Sequence, residues 1–312
     1  MNKPSVVDGI LLVDKPCLLS SNAVLQTVKR LFNVAKAGHM GSLDPLATGM
    51  LPICFGEATK FAQSGLDADK CYTVTALFGS TTDTGDAQGT VIKTVENAKL
   101  SETALLKALP TFFGASLQIP PMYSALKHKG KKLYELARAG IEIERKARPI
   151  TIHKLELIHH DHLHATFTVH CSKGTYIRTL IEDLGASLGL GAHVTQLHRV
   201  FTAGFETQKM YRLEELQALE PQALTQCLLQ IDHMLPYLPI AVLSEAALQT
   251  LYLGQALPSS RSETEINWQE MPQDEEAMVR LYDQQQQFHG LGTWDHNLGQ
   301  LQPKRLRANR LC

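Results

Sequence analysis

The hydrophobic period changes part-way along Leu163–Leu184, and that change most limits the folds open to the chain. Leu163, Ala165, Phe167, Val169 and Cys171 alternate with His164, Thr166, Thr168 and His170, which places the apolar set on one face of a strand. After Gly174 the period becomes helical, with Ile177, Leu180, Ile181 and Leu184 on one face. Pro149–Ile158 reads as the partner strand of a hairpin. The same mixture recurs elsewhere. Strands are predicted over Ile10–Val13 and Cys71–Gly79, and an apolar run starts at Met50. One helix follows Ser20 and Ser21, either of which can cap it, and buries Val24, Leu25, Val28, Leu31 and Phe32; another runs from Ser101 through Leu109. This interleaving predicts an α+β domain with a mixed sheet, ending near residue 235.

Pro236–Pro239 marks a linker, and a smaller β-rich unit follows. It has a helix over Glu245–Leu253 and strands at Met278–Tyr282 and Phe288–Trp294. The longest apolar run, Met50–Phe55, is six residues, far short of the roughly 20 that a membrane helix needs. No membrane span is expected, and Met1–Val7 lacks a secretory pattern. Six cysteines lie far apart with no C-x-x-C pair, which suits reduced thiols in the cytoplasm better than a zinc knuckle or a disulfide framework.

A formal net charge of −1 excludes a protein that coats nucleic acid by bulk charge. The charge is uneven, however. Between Pro120 and Arg148 there are eight Lys or Arg against three Glu, in a polar stretch with one helix signal, Lys131–Ala139, ended by Gly140. This segment reads as a mobile basic insertion. The tail carries Lys304, Arg305, Arg307 and Arg310, whereas Glu263–Asp283 holds seven acids and only Arg280. A local basic surface for RNA is therefore open to this chain.

Gly38-His39-Met40-Gly41-Ser42-Leu43-Asp44-Pro45-Leu46-Ala47-Thr48-Gly49 is the most informative segment. Glycines allow close backbone approach and Pro45 stiffens the turn. The leucines around Asp44 are expected to keep water away. A lone Asp-Pro more often caps a turn, so composition leaves both roles open. In Ser172–Arg178 a strand enters a glycine turn and a helix start, which favours an anion. Arg178 in that first turn is unfavourably placed for a cation unless a carboxylate partner offsets the dipole, and on spacing alone it reads equally as a solvated arginine. Lys15 is a candidate phosphate contact or a surface lysine. Tyr72 begins an alternating strand and suits either the core or stacking against an RNA base. His159, His160, Asp161, His162 and His164 resemble a metal cluster but fall at a hairpin turn, where polar residues are expected; no metal site is assigned.

Together these segments resemble the TruB family of tRNA pseudouridine-55 synthases. The resemblance rests on Asp14-Lys15-Pro16 with Ser20-Ser21, Gly38 through Gly49, Gly56-Glu57-Ala58-Thr59-Lys60, Tyr72, Pro121–Lys127, Arg148-Pro149-Ile150 and Ser172–Arg178. It is dense over residues 8 to 205. It implies a catalytic domain over 1–237 with a thumb loop at 120–148, then a PUA-like RNA-binding domain over 238–312. It implies Asp44 as catalytic aspartate, Arg178 as its ion-pair partner and Tyr72 stacked on the uracil. His39, Tyr176, Lys60 and Leu197 are expected in the pocket. Leu18, Met40 and His198 depart from the family pattern.

The implied reaction isomerises a uridine in the T-arm of tRNA. N1–C1′ is broken and C5–C1′ formed, so no cofactor is expected, and neither an obligate protein partner nor oligomerisation is implied. A non-catalytic RNA-binding factor would use the same surfaces. A glycosidase would need a second carboxylate about 5 to 10 Å from Asp44, and Glu57 is the nearest candidate in sequence.

Overall fold

In the computed structural model, residues 5–259 and 274–308 are described. Most of the predicted acidic run (263–273), Arg310 and Cys312 lie outside them. Ser20 caps α1 (Ser21–Leu31), its hydroxyl accepting from the Ala23 N–H. Ser21 instead turns inward, and its hydroxyl bonds both the N–H and the carbonyl of Leu43. The two serines that were equivalent candidates as caps thus hold different structures.

β1 (Gly9–Lys15) is buried on both faces. Leu11 and Val13 pack with Val24, Leu25 and Val28 of α1, while Ile10 and Leu12 pack on the other side with Phe61, Phe205 and Ile231. This two-sided burial explains its unbroken apolar run. β2 (Ala37–His39) leads into the Asp44 loop and then β3 (Thr48–Phe55). A 3-10 turn over Gly56–Lys60 and α2 (Ala62–Asp67) precede β4 (Lys70–Phe78). A short hairpin, β5 (Ser80–Thr82) and β6 (Val91–Thr94), and α3 (Glu102–Ala108) follow.

β7 (Gly114–Gln118) enters the basic insertion. That segment contains strands β8 (Lys127–His128) and β9 (Lys131–Lys132), then α4 (Leu133–Arg138), shorter than the expected helix. Leu133 is buried within it, so the insertion is folded rather than coreless. β10 (Arg148–Asp161) and β11 (His164–Cys171) form the predicted hairpin, and α5 (Ile177–Ser187) follows. β12 (Ala192–Thr202) completes an eight-stranded sheet of order β1-β3-β12-β4-β11-β10-β7, with β2 beside β3. No strand signal marks β12 in the sequence, because His193, Gln196, His198 and Arg199 break its apolar pattern. It is nonetheless central.

α6 (Leu213–Gln217) and α7 (Pro221–Leu224) lie in the return segment that covers the outer edge of β1, through bonds at Tyr211 and Leu229. A second, five-stranded sheet comprises β13 (Ile240–Leu243), β14 (Leu257–Pro258), β15 (Glu276–Asp283), β16 (Phe288–Asp295) and β17 (Gln300–Leu306), in the order β13-β15-β16-β17-β14. α8 (Glu245–Tyr252) packs inside its core with Leu243, Leu281 and Trp294. Tyr282, Phe288 and Leu291 join the cluster of Ile10, Phe61, Phe205 and Ile231, so the carboxy-terminal unit shares a core with the large sheet. Among the described residues no helix is long and apolar enough to cross a membrane.

Candidate active site

The Asp44 loop occupies a split in the sheet. One edge of β3 pairs with β12 at Thr48 and Gly49 and with β2 at Ile53 to Phe55. Residues 40–47 arch over the gap between those pairings. Gly49 has φ +95°, and a Cβ there would run into the Arg199 carbonyl, so glycine lets β3 and β12 close. The loop itself is held by donors from below. Lys15 Nζ donates to the carbonyls of Pro16 (2.8 Å), Leu19 (2.6 Å) and Pro45 (3.2 Å). Arg199 donates from Nε to the Met50 carbonyl (2.6 Å) and from Nη2 to the Gly41 carbonyl (3.1 Å).

Lys15 therefore corrects an expectation. It is fully buried, and its ammonium is spent on three carbonyls, so it supports the loop and faces no phosphate. Desolvation pulls its pKa down to about 8.

Asp44 and Arg178 meet at 2.9 Å, Oδ2 to Nε. Arg178 is 5% exposed and donates as well from Nη1 to the Thr84 carbonyl and from Nη2 to the Tyr123 carbonyl, both at 2.7 Å. Three chain segments thus fix one guanidinium. Asp44 keeps 40% of its side-chain surface open, more than its leucine flanks led us to expect. It still lies among enough protein that desolvation raises its pKa above 3.8, opposed by Arg178 and Lys15 and assisted by Asp86. The carboxylate is thus desolvated by the protein around it while part of its surface stays open to solvent.

Tyr72 lies on β4 in register with Arg199, and its ring joins Leu43, Ala47 and Leu197 in one apolar cluster. It is 9% exposed; burial raises its pKa, and Arg199 opposes the rise. His39 ends β2 with Nδ1 buried and unpartnered. Burial and then the Arg199 charge lower its pKa, favouring a neutral ring. Tyr176 is the residue before α5, half-buried, with a pKa raised chiefly by desolvation.

Lys60 departs from expectation. It pairs with Glu57 at 2.7 Å and donates to the Leu306 carbonyl at 3.2 Å, so its head engages the carboxy-terminal strand. Arg305 returns the contact to the Lys60 carbonyl, and Arg307 donates to the Phe288 carbonyl. Arg305, and Arg307 through Asp8 at 3.8 Å, thus tie the carboxy-terminal unit to the large one, a use their charge alone did not suggest.

Sequence reading missed Arg199 as a loop support, because nothing marks an arginine in a polar stretch as 1% exposed. It also missed Asp86, a buried carboxylate whose Oδ1 accepts from Thr84 Oγ1 (2.7 Å) and the Gln88 N–H (3.0 Å). The histidine hairpin is a turn: His160 Nε2 contacts the His162 carbonyl, and His162 has φ +48°. Among the described residues no group of three His, Cys, Asp or Glu is placed to hold a metal ion.

The fold and this site define a class. The chain superposes on a chain of "Structure of H/ACA RNP bound to a substrate RNA containing 2'-deoxyuridine" with a TM-score of 0.72, covering 97% of this chain and 86% of that one at 19% identity. A chain of a Cbf5-Nop10-Gar1 complex gives 0.69, over 91% and 77%, at 23% identity. These likenesses establish the fold. Sequence goes further. The amino-terminal model of the TruB family of pseudouridylate synthases matches residues 29–177, and two models of TruB carboxy-terminal domains match 178–236 and 239–306. The tRNA pseudouridine synthase B of Legionella pneumophila (strain Lens) is 49% identical over 92% of this chain and 91% of its own length. That of Pasteurella multocida (strain Pm70) is 48% identical over 96% and 95%. The chain belongs to the TruB family of pseudouridylate synthases.

Proposed function

We propose that this protein is a cytoplasmic tRNA pseudouridine synthase that isomerises uridine 55 in the T-loop, with Asp44 as the catalytic carboxylate. The observation carrying this reading is the Asp44–Arg178 pair at 2.9 Å with 40% of the Asp44 side-chain surface open, which we take as the floor of a cleft for the nucleotide. The target uridine leaves its stack, at about a few kcal/mol, and enters the cleft. Tyr72, Leu197 and Tyr176 take the base, and His39 offers its unpartnered nitrogen. N1–C1′ then breaks, the uracil turns, C5–C1′ forms, and the proton lost from C5 is matched by one gained at N1, so that product and substrate are isomers. Atoms balance without an oxidant or a co-substrate. In the route we favour Asp44 takes a proton from C2′ as N1–C1′ breaks and returns it to C2′ as C5–C1′ forms; attack on C1′ or on C6 uses the same carboxylate. The bound nucleotide supplies the water exclusion that the open cleft lacks.

In this reading residues 1–237 form the catalytic domain, with 120–148 as thumb over the RNA, and 238–312 form the RNA-binding domain. No protein partner is needed, and the chain acts as a monomer. A glycosidase is less well supported, since Asp86, the second carboxylate near Asp44, already has Oδ1 engaged within its own turn.

Asp44→Asn tests the assignment. It keeps shape but loses basicity, so pseudouridine formation per bound tRNA should fall about 10³-fold or more, with binding little changed. The pH profile of the parent adds a check. Because Asp44 must be ionised and its pKa is raised, the rate should fall with acid at a midpoint above 3.8. An Asn variant that converts uridine near the parent rate rules the assignment out.

A further inference from the structure

Gln118 is the last residue of β7, 5% exposed, and the basic insertion begins immediately after it. Its side-chain amide is spent wholly on one backbone unit. Nε2 donates to the Tyr176 carbonyl at 3.0 Å, and Oε1 accepts from the Tyr176 N–H at 2.8 Å. Tyr176 precedes α5 and has no side-chain cap of its own. The amide of Gln118 therefore acts as a neighbouring strand would, fixing the residue from which α5 starts. Two residues on stands Arg178.

The same stretch touches Arg178 a second time. Five residues after Gln118, the Tyr123 carbonyl accepts from Arg178 Nη2. The chain 118–123 and the chain 176–178 thus close a hydrogen-bonded ring with the guanidinium of the Asp44 pair at one corner. Gln118 also pairs in register with Arg148, at the far end of the insertion. Both ends of the basic segment meet at this residue. Ser124, beside that carbonyl, is 5% exposed, and its side chain faces Tyr176, so the same junction touches Tyr176 again.

We infer that Gln118 is a positioning residue for uridine isomerisation: it sets Tyr176 and Arg178 against Asp44 and transmits the seating of the basic insertion to that pair. The inference rests on the reading of Asp44 as the catalytic carboxylate. A side-chain amide suits the task because it matches a backbone amide donor for acceptor. Methionine fills the volume with neither. Ionised glutamate accepts but cannot donate, and it faces the Tyr176 carbonyl with negative charge.

The test uses full-length Gln118→Met and Gln118→Glu with an unmodified tRNA transcript, measuring melting temperature, tRNA affinity and single-turnover rate at saturating tRNA. For Gln118→Met we expect the rate to fall about ten- to a hundredfold, with affinity held within about twofold. For Gln118→Glu the sign of the pH response is diagnostic. Protonation restores an O–H donor for the Tyr176 carbonyl, so its rate relative to the parent should rise as pH falls. Should Gln118→Met fail to fold, that pH response decides alone. Parent-like single-turnover rates in both variants overturn the inference. So does a pH-independent loss that tracks melting temperature, which is what a merely structural role produces. An inactive parent removes the underlying reading and this inference with it, whereas an active parent beside parent-like variants removes this inference only.

Discussion

The Asp44 loop and the basic insertion are both irregular, glycine-containing segments, yet they use positive charge in opposite ways. Around residues 40–47 the cations Lys15 and Arg199 are buried, and their donors hold the carbonyls of Pro45, Gly41 and Met50. In the insertion Lys127, Lys129 and Lys131 point outward. A buried cation with carbonyl partners rigidifies the loop above it, because abandoning those bonds would leave polar groups unpaired in a low dielectric. An exposed cation costs little to reposition and can follow a phosphate backbone. One segment is built to hold a carboxylate still; in the function proposed above, the other meets RNA.

The sharpest way to break this contrast is Arg199→Met. It leaves the Gly41 and Met50 carbonyls without their donor, and each buried unsatisfied group costs roughly 1 to 3 kcal/mol. We expect a loss of about 2 to 5 kcal/mol in urea unfolding, together with a fall in isomerisation of about a hundredfold. Stability within 0.5 kcal/mol of the parent, roughly the effect of a neutral surface change, would show that the loop is held by something else.

Lys15→Met should have a smaller effect of the same kind, about 1 to 3 kcal/mol, since backbone and Ser21 contacts remain. Its diagnostic feature is salt. A phosphate contact would lower the slope of log affinity against log salt, whereas a loop support leaves it unchanged. A reduced slope would restore the phosphate role that burial argues against.

The smallest effect on the fold belongs to the insertion. Changing Lys127, Lys129 and Lys131 to Ala should leave unfolding within about 0.5 kcal/mol. Each lost contact should flatten the salt dependence of tRNA binding by about 0.7 to 0.9, across RNAs of different sequence. An unchanged slope would place the RNA elsewhere.

Much of the sheet was legible in the sequence because β10, β11 and α5 declare themselves by local period, and each face reports its own burial. β12 was not, since its polar residues are buried by what lies across from them. His198 meets Thr48, and Arg199 meets Met50 and Gly41, partners some 150 residues away in the chain. The insertion was legible as a basic segment, but not its buried Leu133 or its tie to Arg178. The tail read as basic, but not as a latch.

By itself, then, the sequence determined the α+β class, the order of most elements, and the placing of a carboxylate in a stiff, glycine-rich loop. Those properties are written in neighbours within a few residues, through period, caps and turn chemistry. Only the tertiary structure decided which charges are buried. Lys15 and Arg199 look like any surface cations until the sheet closes over them, and Arg178 gains its meaning from Asp44, Thr84 and Tyr123, which the fold alone brings to it. Electrostatic role depends on distance and desolvation, and neither is a local property of a chain.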